Sequence, residues 1–227
     1  MRILIVGDTE CPALWDFFTP EKVKGVDLIL SCGDVKADYL SFLVTMAGCP
    51  LLYVHGNHDG NFLKNAPEGC TCIDEQIVVY RGIRIAGLGG CRKYSGGAFQ
   101  YTESEKEKSV HKLQKELHAL GGVDIVLTHC PPEGLGDSED YAHRGFGCYR
   151  SLIEEEKPKY FIHGHVHMNY GHGVSRILSC GDTTIINGYE RFILEVPDVP
   201  YNEKNKYDVM KPKTGLMRLF RKKAAYV

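Results

Sequence analysis

Polar residues able to bind a metal or move a proton close five apolar runs of this chain. Ile3 to Val6 leads into Gly7-Asp8-Thr9-Glu10, and Asp27 to Cys32 into Gly33-Asp34. The run Leu51-Leu52-Tyr53-Val54 continues into His55-Gly56-Asn57-His58-Asp59. Asp124 to Leu127 is followed by Thr128-His129, and Lys159 to Ile162 by His163-Gly164-His165-Val166-His167. Carboxylates, an amide oxygen and imidazoles, with no required thiolate, suit hard or borderline divalent metals such as Mn, Fe, Zn, Co or Ni. Each piece alone has an ordinary reading. A Gly-Asp after a strand is commonly a turn, and a lone histidine is more often structural than a ligand. Five in order along one chain exceed what turn chemistry supplies. One carboxylate can bridge two ions, and a pair about 3.5–4 Å apart clamps the attacking and leaving oxygens of a phosphate ester while lowering the pKa of water.

The elements that would position these groups alternate. Apolar strands are separated by helical segments, which indicates an α/β layered fold. Pro12 to Lys24 reads as a loop and short helix with Trp15, Phe17 and Phe18 packing, and Asp38 to Ala47 as a helix. Ligands of open α/β sheets gather outside the carboxyl ends of strands, so the five ends can meet. The middle changes character. Gln76 to Tyr80 and Ile83 to Leu88, joined by Arg81-Gly82, predict a tight β-hairpin. The glycine-rich stretch Gly89 to Gly97 lacks the lysine and hydroxyl spacing of a phosphate-binding P-loop. It is read as an active-site wall, with Arg92 and Tyr94 as candidate substrate contacts beside the alternative of a solvated loop. Thr102 to Leu120 predicts an amphipathic helix stopped by Gly121-Gly122, with His111 and His118 facing solvent. A loop carrying His143 and Arg144, two further candidate substrate contacts, leads to a helix from about Cys148 to Glu156. Val174 to Leu178, Thr184 to Ile186 and Phe192 to Val196 are expected as a closing meander.

Composition sets the outer limits. The 227 residues carry 43% hydrophobic and 25% charged side chains, which suits one sizeable domain. A formal net charge of -2 offers no basic field for nucleic acid. The apolar run at the N-terminus is too short for a signal peptide or membrane span. Nine cysteines, scattered and odd in number, predict reduced thiols and a cytoplasmic setting. Cys70-Thr71-Cys72 alone offers too few ligands for a metal site. The domain is expected over residues 1–196, followed by a basic extension over residues 197–227. That extension could form a short amphipathic helix touching a membrane or partner, dock on the domain, or remain mobile.

The order Gly-Asp, Gly-Asp, Gly-Asn-His-Asp, His, Gly-His-X-His resembles the calcineurin-like metallophosphoesterase superfamily. The resemblance implies a four-layer α-β-β-α sandwich with mixed sheets and a centre of two divalent ions, Mn foremost. Asp8 and His167 would hold the first ion, and Asn57, His129 and His165 the second, with Asp34 bridging. His58 would protonate the leaving oxygen or steady the transition state, oriented by Asp59. The family's first motif is usually Asp-X-His; here Glu10 stands at the histidine position and is expected to ligate through oxygen. Thr128 to Gly134, Gly147-Cys148, Lys157-Pro158-Lys159, Tyr170-Gly171 and Thr184 to Asn187 are similar to small single-domain phosphodiesterases of the metallophosphoesterase-domain-containing group. The implied partner is a small-molecule phosphate ester, a cyclic nucleotide or similar diester. A phosphomonoesterase, nucleotide pyrophosphatase or nuclease remains open, as does oligomeric state. A scaffold on the same fold, resembling the retromer subunit, is the non-enzymatic alternative; retention of His58 argues for the enzyme.

Overall fold

The computed structural model describes residues 1–169 and 175–197. The N-terminal half builds one sheet from β1 (Arg2–Gly7), β2 (Leu28–Ser31), β3 (Leu51–Tyr53) and β4 (Thr71–Cys72). All four run parallel. Alternation along β1 sets the layering. Ile3 and Ile5 enter the central core, while Leu4 and Val6 face a helical layer, as the two-residue period of a strand requires. On that outer face lie α1 (Ala37–Ala47), through Tyr39, Leu40 and Leu43, and two short 3-10 helices. Trp15 and Phe18 pack there as expected, whereas Phe17 is 71% exposed. Phe17 lies in the turn that follows the 3-10 helix Pro12–Leu14, where the chain reverses and leaves one ring outward.

The second sheet starts with the hairpin β5 (Gln76–Tyr80) and β6 (Ile83–Leu88). Arg81 and Gly82 both adopt positive φ, the turn geometry that matches strand twist. A two-stranded ribbon, β7 (Cys91–Arg92) and β8 (Gln100–Tyr101), precedes α2 (Glu103–Leu120). Thr102 and Glu105 close a capping box at its start, and Gly121 ends it in the left-handed region. Then β9 (Ile125–Thr128), α3 (Gly147–Glu156) and β10 (Tyr160–His163) follow, and β11 (Ile177–Cys180) pairs antiparallel with β12 (Thr183–Asn187). The sheet order is β11-β12-β10-β9-β6-β5. Its inner face meets the first sheet through Val78, Ile85, Ile125, Leu127, Ile162 and Ile186. Its outer face packs on α2 and α3 through Leu113, Leu117, Tyr149 and Leu152. The order of layers is therefore helix, sheet, sheet, helix.

The closing meander is corrected. β13 (Glu190–Glu195) leaves its neighbour β12 and adds antiparallel to β1 in the other sheet. Apolar Leu194 reaches the central core, so the last strand is held by burial on the far sheet and its crossing ties the two sheets together. Val174, Tyr170, Gly171 and the basic extension from residue 198 onward lie outside the described residues. Among those described, no helix is long and apolar enough to cross a membrane.

Candidate metal centre

Parallel β1, β2 and β3 end at one edge of their sheet, and parallel β9 and β10 at an edge of the other. The two edges are joined directly: His129 Nδ1 lies 2.8 Å from the Cys32 carbonyl, and the His165 N–H donates to Asp8 Oδ1 at 2.7 Å. Asp8, Asp34 and His165 all have positive φ, at 64°, 56° and 69°. Non-glycine residues adopt that region at an energetic cost and cluster at functional sites. Space is as tight as the backbone is strained. A Cβ on Gly56 would fall 2.0 Å from Asp34 Oδ1, and one on Gly33 would fall 2.3 Å from the Gly56 nitrogen. Glycine at both positions lets the second and third strand ends close on each other.

The side chains converge. Ligating atoms of Asp34, His129 and His165 lie within 4.8 Å of one another, a group able to hold a metal ion. His129 Nε2 faces Asn57 Oδ1 at 2.9 Å and Asp34 Oδ2 at 3.3 Å. Its Nδ1 already serves the Cys32 carbonyl, so a second proton or a cation must stand between Nε2 and those oxygens. His165 Nε2 lies 2.8 Å from the Ala142 carbonyl, which fixes its proton there and leaves Nδ1 with its lone pair. Asp8 Oδ2 is buried with no hydrogen-bond partner, a costly arrangement for an oxygen anion without a compensating cation. These residues fit a divalent metal.

Electrostatics agree. Burial, ahead of every other influence, raises the Asp8 carboxyl to about 7. Burial also pushes Asp34 upward, but the adjacent His129 and the His58 N–H outweigh it and hold Asp34 at about 2. For His129 burial favours the neutral ring, yet Asp34 and Asp8 raise it to about 9. The carboxylates thus draw a positive charge into the cluster. His165 behaves oppositely: burial, then repulsion from His129, lowers it to about 3. It is neutral at physiological pH, as a ligand must be.

A cavity of about 450 Å³ opens over this cluster, lined by Asp8, Asp34, Asn57, His58, Tyr94, Ala142, His143, His165 and His167. His58 is exposed on its wall, and its backbone N–H donates to Asp34 Oδ1 at 2.7 Å. Tyr94 accepts from Asn57 Nδ2 at 3.1 Å through its hydroxyl. His143 stacks toward His165 at 5.0 Å between ring centroids, with Asp140 2.8 Å from its Nδ1. His167 lies against Tyr189.

Four expected placements differ. Asp59 was expected to orient the His58 ring, yet its Oδ2 accepts from the backbone nitrogens of Gly56 at 2.7 Å and Asp34 at 2.9 Å. A buried carboxylate satisfies those two donors better than it could reach around the 3-10 turn to an exposed ring. Glu10 lies outside the cavity, its Oε1 accepting the Lys36 N–H at 2.9 Å. Arg92 donates to the Gly145 carbonyl at 3.1 Å and pairs with Glu103, bracing the loop before α3. Arg144 is engaged by Glu133 on the surface. Sequence reading placed Asn187 in a stretch shared with the subgroup but gave it no role; its Nδ2 donates to the Val166 carbonyl at 2.7 Å. That bond holds the loop between His165 and His167.

Comparison with known proteins follows the same lines. A family profile described as the calcineurin-like phosphoesterase superfamily domain matches residues 1–188. Human metallophosphoesterase domain-containing protein 1 is 28% identical over 52% of this chain and 34% of its own length. The lariat debranching enzyme of Arabidopsis thaliana is 26% identical over 66% of this chain and 49% of its own. The chain therefore spans about a third to a half of the length of these curated relatives. The crystal structure of TT1561 of Thermus thermophilus superposes with a TM-score of 0.57 at 20% identity, covering 83% of this chain and 89% of that one. It shares the fold.

Proposed function

The chain belongs to the calcineurin-like phosphoesterase superfamily, and on that footing we propose that it hydrolyses a phosphodiester of small-molecule size in a metal-dependent reaction. The observation that carries the reading is the buried, unpartnered Asp8 Oδ2 together with a His129 Nε2 that faces two oxygens. Asp8 and His167 would hold one ion, and Asn57, His129 and His165 a second, with Asp34 between them. Mn is the leading candidate, followed by Fe, Zn, Co and Ni. When bound, such ions supply charge that stabilises the phosphoryl transition state and acidifies water. Glu10 stands outside this set.

His58 carries the proton chemistry. Its exposed ring sits on the cavity wall beside Asp34, where it can protonate the departing ester oxygen or steady developing charge. Asp59 acts on the backbone, fixing the turn that presents Asn57 and His58. Tyr94 fixes the Asn57 amide, so that its oxygen points to the metal cluster and its nitrogen away. The diester reading draws on room for substituents on both sides of the cluster, since a second groove adjoins the cavity across Asp34 and His58. A relative named for debranching lariats favours the same side. All nine cysteines are free thiols, in keeping with a reducing, cytoplasmic setting.

The test is hydrolysis of bis-p-nitrophenyl phosphate beside p-nitrophenyl phosphate by metal-stripped protein reconstituted with Mn. Turnover favouring the diester is expected. Preference for the monoester would make the protein a phosphomonoesterase, and no turnover of either with metal bound would favour a binding scaffold.

A further inference from the structure

The groove beside the metal cluster has its own character. It measures about 510 Å³ and is lined by Glu10, Lys36, Asp38, Asn61, Phe62 and Asn65 along with the shared Asp34 and His58. That volume lies within the range of about 300–1,000 Å³ common for small-molecule sites. His58 lines both cavities, so an ester oxygen that it protonates can depart toward this groove.

We propose that the groove is the leaving-group subsite, and that it takes an uncharged or cationic alcohol rich in hydrogen-bond donors, of nucleoside size, while rejecting one that carries a phosphate. The inference rests on the phosphodiesterase reading and names its substrate class. Three observations carry it. First, carboxylates dominate the lining. Apart from Asp34, which the metal cluster would engage, Glu10, Asp38 and Asp59 line it beside Lys36 and His58, so a phosphorylated leaving group meets repulsion that an uncharged one does not. Secondly, Glu10 is held in place there, its carboxylate fixed on the Lys36 N–H at the start of α1. It occupies the helix terminus where an incoming anion would otherwise be favoured. Thirdly, the side-chain amides of Asn61 and Asn65 sit together, Asn65 Nδ2 lying 3.4 Å from Asn61 Oδ1. With Phe62 alongside, they present donors, acceptors and an apolar edge, the mixture that recognises a nucleobase or a sugar. The departure from the usual Asp-X-His motif thereby gains a role in specificity.

The reaction balances simply. Water adds its oxygen to phosphorus and releases a proton to solvent, the P–O bond to the alcohol breaks with its electron pair on the alcohol oxygen, and His58 gives that oxygen a proton and is reprotonated from solvent. The products are a phosphomonoester and a free alcohol.

The test compares deoxyadenylyl-(3′→5′)-deoxyadenosine with the same dinucleotide bearing a 3′-terminal phosphate, in Mn-loaded protein, with bis-p-nitrophenyl phosphate as reference. We expect kcat/KM about tenfold higher for the unphosphorylated dinucleotide. The ratio should fall toward one in Asp38→Lys and in Glu10→Gln, and also in wild-type protein as ionic strength rises. A ratio near one in wild type, or one unmoved in both variants, overturns the inference. So does failure to cleave either dinucleotide while bis-p-nitrophenyl phosphate is turned over. If the reference itself is inert, the phosphodiesterase reading falls and takes the subsite with it.

Discussion

At the scale of single residues, the account separates groups that do chemistry from groups that hold them. His58 is exposed and uses its backbone, not its ring, on Asp34, so His58→Ala should leave metal content unchanged. It should lower kcat by about 10²–10⁴-fold, the range for loss of a general acid. Metal analysis beside steady-state kinetics checks both halves, and a parallel loss of metal would make His58 a ligand instead. Asp59→Ala is expected to behave differently. It strands the Gly56 and Asp34 N–H groups at about 1–3 kcal/mol for each buried donor left unpaired. Urea unfolding should therefore show a clear stability loss, absent in Asp59→Asn if the amide oxygen keeps the two bonds. Residue types were legible because chemistry dictates them: Asp8, Asp34, Asn57, His129, His165 and His167 fall together as their order implied. Roles set by direction were not. Whether Asp59 serves a ring or Glu10 a metal, or each a backbone nitrogen, depends on turn geometry that one-dimensional spacing does not encode.

At the scale of elements, strand ends do the positioning, and a buried histidine makes the arrangement sensitive to acid. His163, the last residue of β10, is fully buried, and burial first of all lowers it from 6.5 to about 4. The unfolded chain takes up a proton below about pH 6.5 that the folded protein refuses. Its contribution is therefore intact above pH 6.5 and lost as pH falls toward 4, amounting to about 3 kcal/mol over that window. Thermal unfolding of metal-stripped protein across this range should show the decline, and His163→Leu should flatten it. An unchanged pH profile in that variant would show that other groups govern acid unfolding. Elements of strong period, such as α2 and the β5–β6 hairpin, could be read from sequence to within a residue or two. The route of β13 could not. Its alternation predicts a strand, but partner choice depends on which sheet edge is left open, and only the assembled molecule decides that.

At the scale of the whole molecule, the two sheets bring carboxylates from β1 and β2 against histidines from β9 and β10, and the folded chain holds that charge ready for a cation. Asp8, raised to about 7, binds a proton in the folded state that the unfolded chain releases near 3.8. In metal-stripped protein its contribution therefore falls as pH rises through that interval. A metal must displace that proton and the one His129 keeps up to about 9, so binding strengthens with pH. The rise in melting temperature caused by Mn should accordingly be larger at pH 8 than at pH 5.5. An equal rise at both would place the metal elsewhere. A layered α/β fold followed from the alternation of apolar runs with helical segments, and its four α-β-β-α layers from the family that the motif order resembles, whereas the groove beside the cluster was invisible. It is walled by Glu10, by Lys36 to Asp38 at the start of α1, and by Asn61, Phe62 and Asn65 in and after a 3-10 helix over Asp59–Leu63, three segments that no pattern links.

The central claim is that the cluster of Asp8, Asp34, Asn57, His129, His165 and His167 makes hydrolysis depend on bound metal. The most direct measurement titrates Mn into stripped wild-type protein and into His129→Ala, following bound metal and bis-p-nitrophenyl phosphate hydrolysis together. The account predicts negligible activity without metal, activity that rises with occupancy in wild type, and loss of both in the variant. Full activity in the stripped protein, or undiminished metal-dependent turnover in His129→Ala, would contradict it.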